Sequence, residues 1–424
     1  MLRNCTRARP VLCKAFYSSS SRRKACQISG HEAAALLFVG GTAVFALANR
    51  VKKRDEAGEP DMINFDLGKF RNMCNGSVQV DRATFFLNGS RTIESMETEF
   101  TFSPTLKFVC FTIAEGFNEQ GAVLAERLSK LLPEAVCSWF ADLYSAAANA
   151  EPPSSRRNPG ELPNPVVAPS SIDETIKKAF YDVDDQIITL DPTLRDADAT
   201  LKAAATMGCS VLMGIYNAED RRLRVALTGE GRAVLGRRVD GPDGRYMYQV
   251  KPLTADQVVT SPEEAARLTA AHPNEPNLLN DGRLLGLKQT RAFGVGAMKW
   301  SREVLHEDFG PDESSDDCLT PPYFTAVPAV TVTNVQPGDV AVFGTGGLWE
   351  YLRNEEAVGL VGLWIEQNTN NVVMASNSRA YNFSDLPMLC EGTTIARITS
   401  FTCGNSGPAV HLAASALSKA PKDS

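Results

Sequence analysis

The stretch Phe111-Thr-Ile-Ala-Glu-Gly-Phe-Asn-Glu-Gln-Gly-Ala122 decides the fold, because a buried strand, a glycine turn and a helix follow one another within it. The apolar run before Glu115 predicts the strand, Gly116 predicts the turn, and a helical pattern begins after Gly121. Enzymes often place functional side chains on such connections between rigid elements. An acid beside a large ring, Phe117, therefore indicates either an active site or the remains of one.

Strong periodic patterns lie on both sides of this stretch. Residues 81–87 and 106–113 read as strands, whereas residues 120–149 carry apolar residues at helical spacing, with a break or kink expected at Pro133. Residues 151–171 form a proline-rich linker or surface loop, and residues 172–188 return to a helical pattern.

Three further strands follow at short intervals, at residues 210–216, 223–228 and 232–235. Gaps this short suit antiparallel neighbours, because parallel strands need a longer crossover. A helix is expected at residues 262–272 and a buried strand at residues 340–343. Strands and helices segregated in this way predict antiparallel sheets covered by helices, an α+β architecture.

Composition excludes several classes of function. The chain has 424 residues, of which 43% are hydrophobic and 22% charged, with a net charge of −7. An acidic body without basic clusters argues against nucleic acid as a partner. The ten cysteines form no CxxC pair and lie away from the four histidines at ligand spacing, so buried free thiols are expected rather than a zinc site or a disulfide scaffold.

The N-terminal region differs from the rest. Residues 1–30 are basic, serine-rich and free of acids, which predicts a mitochondrial transit peptide, with a disordered basic tail as the alternative. Residues 33–48 are apolar and precede a cationic cluster, so they are a candidate inner-membrane anchor or interfacial segment, although the run is shorter than the ~20 residues of a typical span.

Several segments together resemble one family, the metal-dependent protein phosphatases of the PPM type, also called type 2C. The similarity is greatest to the mitochondrial pyruvate dehydrogenase phosphatase branch. The segments occur in family order, and those with the most distinctive residues are Thr228-Gly-Glu-Gly-Arg-Ala-Val-Leu-Gly236, His272-Pro-Asn-Glu275, Thr290-Arg-Ala-Phe-Gly294, Thr320-Pro-Pro-Tyr-Phe-Thr-Ala326 and Gly344-Thr-Gly-Gly-Leu-Trp-Glu350. They imply a phosphatase-like domain over residues 61–405, which includes the loop at 151–171, and a tail at 406–424.

The resemblance implies a four-layer α-β-β-α sandwich of two antiparallel sheets flanked by helices. It also implies two Mg²⁺ or Mn²⁺ ions at one end of the sheets, which share a hydroxide that attacks a phosphoserine or phosphothreonine. In the family, the ligands come from a Glu-Asp pair, an Asp-Gly-His-Gly turn and two later aspartates.

At those positions this chain departs from the family. The early pair is Val80-Asp81, so only Asp81 can be a ligand. In the turn, Glu115 matches the bridging Asp, Gly116 matches the glycine that offers its carbonyl, and Phe117 matches the proton-donor His.

The later ligand positions are changed as well. Gly346 replaces a carboxylate ligand, and Glu391 matches the last Asp. Glu230 matches the Asp tied to an accessory metal. Glu350, which is close to Gly346 in sequence, is assigned to the same accessory-metal position as a substitute acid. Val295 replaces the Asp that usually follows Arg-Ala-Phe-Gly.

Three hypotheses follow. The first is a pseudophosphatase that needs no metal cofactor and acts as a binding or regulatory subunit for a mitochondrial protein or phosphoprotein, because function depends on the site and not on the fold. The second is an active Mg²⁺- or Mn²⁺-dependent phosphatase with glutamate ligands. The third is a structural component of a large membrane-bound mitochondrial assembly. This hypothesis rests on the candidate membrane anchor at residues 33–48.

Overall fold

The computed structural model describes residues 42–47, 75–80, 83–88, 96–103, 108–117, 119–150, 167–189, 207–217, 219–241, 246–301, 303–304, 319–369 and 412. The strands in them are β1 Thr42–Leu47, β2 Asn75–Val80, β3 Ala83–Asn88, β4 Met96–Ser103, β5 Phe108–Gly116, β6 Gly208–Asn217, β7 Arg222–Thr228, β8 Arg232–Asp240, β9 Tyr246–Pro252, β10 Leu279–Asn280, β11 Arg283–Leu284, β12 Phe293–Gly294, β13 Ala329–Asn334 and β14 Val340–Gly344. The helices are α1 Glu119–Ala150, α2 Pro169–Ile188, α3 Pro262–Ala271, α4 Gly346–Trp349 and α5 Asn354–Thr369, with a short 3-10 helix at Gly296–Met298.

Two six-stranded antiparallel sheets organise these elements. The first has the order β2-β3-β1-β14-β8-β9, and the second has the order β13-β7-β6-β5-β4 with β12 paired to β6. Strands β5, β6 and β7 are buried along nearly their whole length, which their almost continuously apolar sequences explain. The antiparallel pairing predicted from short connections is confirmed.

Helices cover the outer face of each sheet. Helices α1 and α2 pack on each other, and α1 packs on β5, while α5 packs on β8, β9 and β14. The core beneath α1 and α2 includes Phe108, Phe140 and Phe180, all almost inaccessible to solvent. Between the sheets, the rings of Phe111 and Phe343 meet edge to face with centroids 4.8 Å apart. Helix, sheet, sheet and helix are the four layers that the resemblance implied.

Most boundaries agree with the sequence patterns. Helix α3 begins with Pro262 at its first position, where the missing amide donor costs nothing. A break or kink was expected at Pro133, and the break does not occur, because helix α1 runs through this residue without interruption. The sequence patterns did not indicate β4, β9 or β13. The transit peptide, most of the loop at 151–171, and almost all of the tail lie outside the described residues.

The segment 33–48 differs from expectation. Its described residues, Thr42–Leu47, form β1, which pairs with β14 along one edge and with β3 along the other. The sequence Thr-Ala-Val-Phe-Ala-Leu suits a buried strand as well as a membrane helix, and so short an apolar run cannot distinguish the two by periodicity. This sheet therefore includes a strand that precedes residue 61, where the domain was expected to start. Among the described residues, no helix is long and apolar enough to cross a membrane.

Candidate active site

The predicted site lies where β5, β6 and β14 and the β7–β8 turn come together. Glu115 is the penultimate residue of β5 and is paired with Ser210 of β6. The Ser210 hydroxyl accepts a hydrogen bond of 2.9 Å from the amide of Glu230, which lies in the β7–β8 turn. Gly229 in this turn has φ +93, and a β-carbon there would lie 2.3 Å from Ser210 Oγ. The turn therefore requires glycine at position 229 to bring Glu230 to the end of β5.

Glu115 connects the two sheets. Its carboxyl is hydrogen-bonded to the Thr345 side chain, directly after β14. Burial and the negative charge of Glu230 raise the pKa of Glu115 from 4.5 to about 7, the Thr345 hydrogen bond opposes this, and Glu350 adds a further increase. Like charges close together disfavour ionisation, so the carboxylates of Glu230 and Glu350 add to the effect of burial on the Glu115 pKa.

Gly346 borders this space. It opens α4, and a β-carbon built there would lie 3.6 Å from Oε2 of Glu230. Where the family has a carboxylate ligand, this chain therefore has no side chain, and the carboxylate of Glu230 lies close by. The neighbouring Gly347 has no atom within 4 Å of such a β-carbon.

Two apolar side chains, those of Phe117 and Val295, meet at Gly208. The Phe117 amide donates to the Gly208 carbonyl, and the Val295 amide donates to the adjacent Met207 carbonyl, each over 2.9 Å. A β-carbon at Gly208 would lie 2.2 Å from the Phe117 ring and 2.9 Å from Val295 Cγ2. Phe117 is 37% exposed, so the ring covers the surface at Gly208 instead of filling an internal cavity.

Val295 has a backbone conformation that its side chain disfavours. Its φ and ψ are 50 and 47, in the left-handed region, which β-branched residues rarely adopt. Asp or Asn is better tolerated there, which agrees with the Asp that the family has at this position. Burial of Val295 in the apolar cluster with Tyr323 and Phe324 accompanies the strain.

The structure brings together only part of the predicted ligand set. Glu115, Gly116, Glu230, Gly346 and Glu350 lie at one end of the sheets. Asp81 and Glu391 lie outside the described residues, and only the backbone of Val80, the last residue of β2, is described. Sequence reasoning missed Thr345 and Gly208. The only signal for Thr345 was its position inside the motif at residues 344–350.

The described donors do not fit a two-metal centre. Among the residues that the structure describes, no three His, Cys, Asp or Glu side chains are arranged to hold a metal ion. Mg²⁺ requires near-ideal octahedral oxygen coordination, and Val80 and Gly346 carry no side-chain oxygen. No catalytic step through a metal is therefore derived for this chain.

Comparison with known proteins agrees with the fold and the motifs. The family described as Protein phosphatase 2C matches residues 164–384, just over half of the chain. The chain belongs to the protein phosphatase 2C family. A protein phosphatase 2C homolog of Schizosaccharomyces pombe is 38% identical over 213 residues, which cover 47% of this chain and 47% of that protein.

Two proteins that are described as mitochondrial are also similar. "[Pyruvate dehydrogenase [acetyl-transferring]]-phosphatase 1, mitochondrial" of Saccharomyces cerevisiae is 33% identical over 279 residues, covering 61% of this chain and 45% of that protein. "[Pyruvate dehydrogenase [acetyl-transferring]]-phosphatase 2, mitochondrial" of Homo sapiens is 32% identical over 209 residues, covering 45% of this chain and 38% of that protein. The chain spans about half or less of the length of these relatives.

Proposed function

We propose that this phosphatase 2C protein is a catalytically impaired member that binds a phosphoprotein and acts as a binding or regulatory subunit in mitochondria. The observation that carries the proposal is at Gly346, where a ligand position has no side chain and where an added β-carbon would lie 3.6 Å from Oε2 of Glu230. Phe117, at the proton-donor position, lies against Gly208 and cannot transfer a proton.

Chemistry explains why these changes matter together. A metal-bound hydroxide needs anionic ligands at fixed positions and a group that protonates the leaving oxygen. Changes in residues that only orient metal ligands already cost about 10–100-fold in affinity or activity. Loss of a ligand and of the acid is expected to cost more, although such losses need not add.

The names of the relatives support the compartment and the kind of partner. Two of them are described as mitochondrial phosphatases of pyruvate dehydrogenase. By analogy, the proposed partner is a phosphorylated mitochondrial protein such as pyruvate dehydrogenase, and the basic, acid-free residues 1–30 agree with mitochondrial import.

Metal titration of the full chain tests the proposal. Addition of Mn²⁺ or Mg²⁺ is expected to leave the melting temperature nearly unchanged, because a ligand stabilises only a state that binds it. The same protein is expected to release no phosphate from a phosphoserine peptide, yet to bind phosphorylated pyruvate dehydrogenase more tightly than the unphosphorylated form. Equal binding of the two forms would contradict the regulatory role.

An active enzyme is the second candidate, and the convergence of Glu115, Glu230 and Glu350 favours it. These three carboxylates are not arranged to hold a metal ion by themselves. An oxygen ligand set for a hard cation would also need Asp81 and Glu391, which lie outside the described residues. Metal-dependent phosphate release that disappears in Glu115→Ala would establish this alternative and overturn the first.

A further inference from the structure

Two thiols face each other between β5 and α1. Sγ of Cys110 and Sγ of Cys137 are 4.0 Å apart, within hydrogen-bonding distance for sulfur. Both are free cysteines; Cys110 is fully buried and Cys137 is half-buried at the edge of the core. The pair lies outside the candidate active site and plays no part in the proposed function.

Packing of the helix on the strand fixes this pair in register. Phe108 precedes Cys110 by two residues and shares its face of β5, while Phe140 follows Cys137 by almost one helical turn. The rings of Phe108 and Phe140 are 4.9 Å apart between centroids. This aromatic contact aligns α1 along β5 and leaves the two thiols opposite each other.

The two sulfurs have different chemical character. The hydrogen bond between the two thiols lowers the pKa of Cys137, although burial and the charge of Glu134 oppose this. The same hydrogen bond, together with burial, raises the pKa of Cys110 well above its usual value. Cys137 is thus the accessible thiol that ionises first, and Cys110 is the buried thiol that remains protonated beside it.

The helix can also adjust close to this pair. Pro133, one turn before Cys137, provides no amide donor, so α1 lacks one of its own hydrogen bonds at this point. A disulfide requires the sulfurs to approach to about 2.0 Å, which is about half of their present separation. Rotation of the side chains and a small shift of α1 near Pro133 can supply this movement.

We propose that Cys110 and Cys137 form a redox-active dithiol that a peroxide converts into a disulfide between β5 and α1 and that a dithiol reductant restores by thiol–disulfide exchange. The Cys137 thiolate attacks one peroxide oxygen, the O–O bond breaks, and the leaving oxygen takes up a proton to become water or an alcohol. Cys110 sulfur then attacks the Cys137 sulfenic acid, the S–S bond forms, and the hydroxyl leaves as water with the Cys110 proton. The two sulfurs lose two electrons in total, and the peroxide gains them.

The test uses the full reduced chain treated with hydrogen peroxide. The protein is then denatured in N-ethylmaleimide and digested without reductant, and peptides are identified by mass spectrometry. The expected result is a cross-linked pair that contains Cys110 and Cys137 and disappears after treatment with dithiothreitol. Recovery of Cys110 as its maleimide adduct, with Cys137 either alkylated or oxidised to the sulfinic acid, would overturn the proposal.

Melting temperatures provide a second readout. The oxidised protein is expected to melt at a higher temperature than the reduced protein, because a cross-link constrains the unfolded chain. Cys137→Ser is expected to abolish the difference. The matched control is Cys209→Ser, which removes another buried thiol of the same sheet. This variant is expected to retain the difference in melting temperature between the oxidised and the reduced protein. A shift that persists in Cys137→Ser would exclude this pair as its source.

Discussion

The ring of Phe117 lies directly on the backbone of Gly208, so that a β-carbon at Gly208 would come within 2.2 Å of Cε2 and 2.3 Å of Cδ2 of the ring. Gly208→Ala is therefore expected to displace the Phe117 ring and to lower the free energy of unfolding by about 1–3 kcal/mol. The added Phe117→Ala change removes the nearest obstacle, although Val295 Cγ2 remains 2.9 Å from the new β-carbon, and it is expected to recover a large part of this loss. Urea denaturation of the two single variants and the double variant measures the coupling.

Gly116→Ala is the control for this pair. Its β-carbon would lie 2.1 Å from the backbone carbon of Gly121, which cannot move aside as a side chain can. Phe117→Ala is expected to give no recovery in this background. If the penalties of Gly208→Ala and Phe117→Ala simply add, the ring does not occupy the position described.

Gly346→Asp tests the consequence of the missing carboxylate. The new side chain begins 3.6 Å from Glu230 Oε2, so without metal the like charges are expected to destabilise the fold by roughly 1 kcal/mol. The repulsion is expected to become smaller at high salt. Gly347→Asp, with open space around its β-carbon, is the matched control and is expected to have little effect.

Restoration of the whole ligand set extends this test. The melting temperature of a five-fold variant is expected to rise with Mn²⁺ concentration. This variant combines Val80→Glu, Glu115→Asp, Phe117→His, Gly346→Asp and Glu391→Asp. Metal-induced stabilisation that is equal in the wild-type chain and the restored variant would show that these substitutions do not determine metal binding.

Asp184 and Lys299 form a buried ion pair that fixes the segment around Val295. The Lys299 ammonium lies 2.6 Å from Asp184 Oδ2 and 2.8 Å from the Ala292 carbonyl, while the Gly294 amide donates to Asp184 Oδ1. Asp184→Ala leaves a buried cation without its counter-charge and is expected to cost about 3–5 kcal/mol, measured by chemical denaturation.

Two further variants separate charge from packing at this pair. Asp184→Leu with Lys299→Met removes both charges and is expected to recover a large part of the loss. Asp182→Ala, which breaks the exposed pair with Lys178 on the same helix, is expected to cost at most about 1 kcal/mol. If Asp182→Ala and Asp184→Ala lowered the free energy of unfolding by similar amounts, burial would not be what makes the Asp184–Lys299 pair important.

Glu264 makes the fold sensitive to acid. Burial alone would raise its pKa, but hydrogen bonds from Arg291 and Thr290 and the charges of Arg291 and Arg267 lower it from 4.5 to about 2. Because the unfolded chain takes up this proton at a higher pH than the folded chain, the stabilisation is complete above the unfolded pKa and is lost as the pH falls from about 5 to about 2. The expected loss is on the order of 3 kcal/mol.

Denaturation curves across this pH range measure the effect. Glu264→Gln is expected to be less stable at pH 7 and to lack the part of the acid-dependent loss that Glu264 causes. Glu263→Gln changes the preceding, exposed acid and is expected to preserve that loss. An unchanged pH profile in Glu264→Gln would assign the acid sensitivity to other groups.

The fold was largely predictable because its local patterns agree with its tertiary structure. The apolar run at residues 340–343 became β14, and the short gaps after residue 216 became antiparallel connections. Residues 42–47 were misread, since a short apolar run has the same appearance in a sheet and in a lipid bilayer, and only its partners β3 and β14 distinguish the two.

The site was predictable as a set of positions but not as an arrangement. Motif order identified Glu115, Glu230 and Gly346, whose positions along the chain follow from the turns that carry them. The hydrogen bond between Glu115 and Thr345 joins different sheets, so no local pattern could reveal it. The strained backbone of Val295 likewise results from its place between β12 and the 3-10 helix.

The position of β1 limits how far the N-terminus can be shortened. A strand with hydrogen-bonded neighbours on both edges cannot be removed without exposing two rows of backbone donors and acceptors, one on β3 and one on β14. Any protease that trims this chain, in the cell or during purification, has to stop before Thr42 if the sheet is to remain whole. A shortened protein that is expressed from residue 61 onward lacks β1 and is expected to be insoluble.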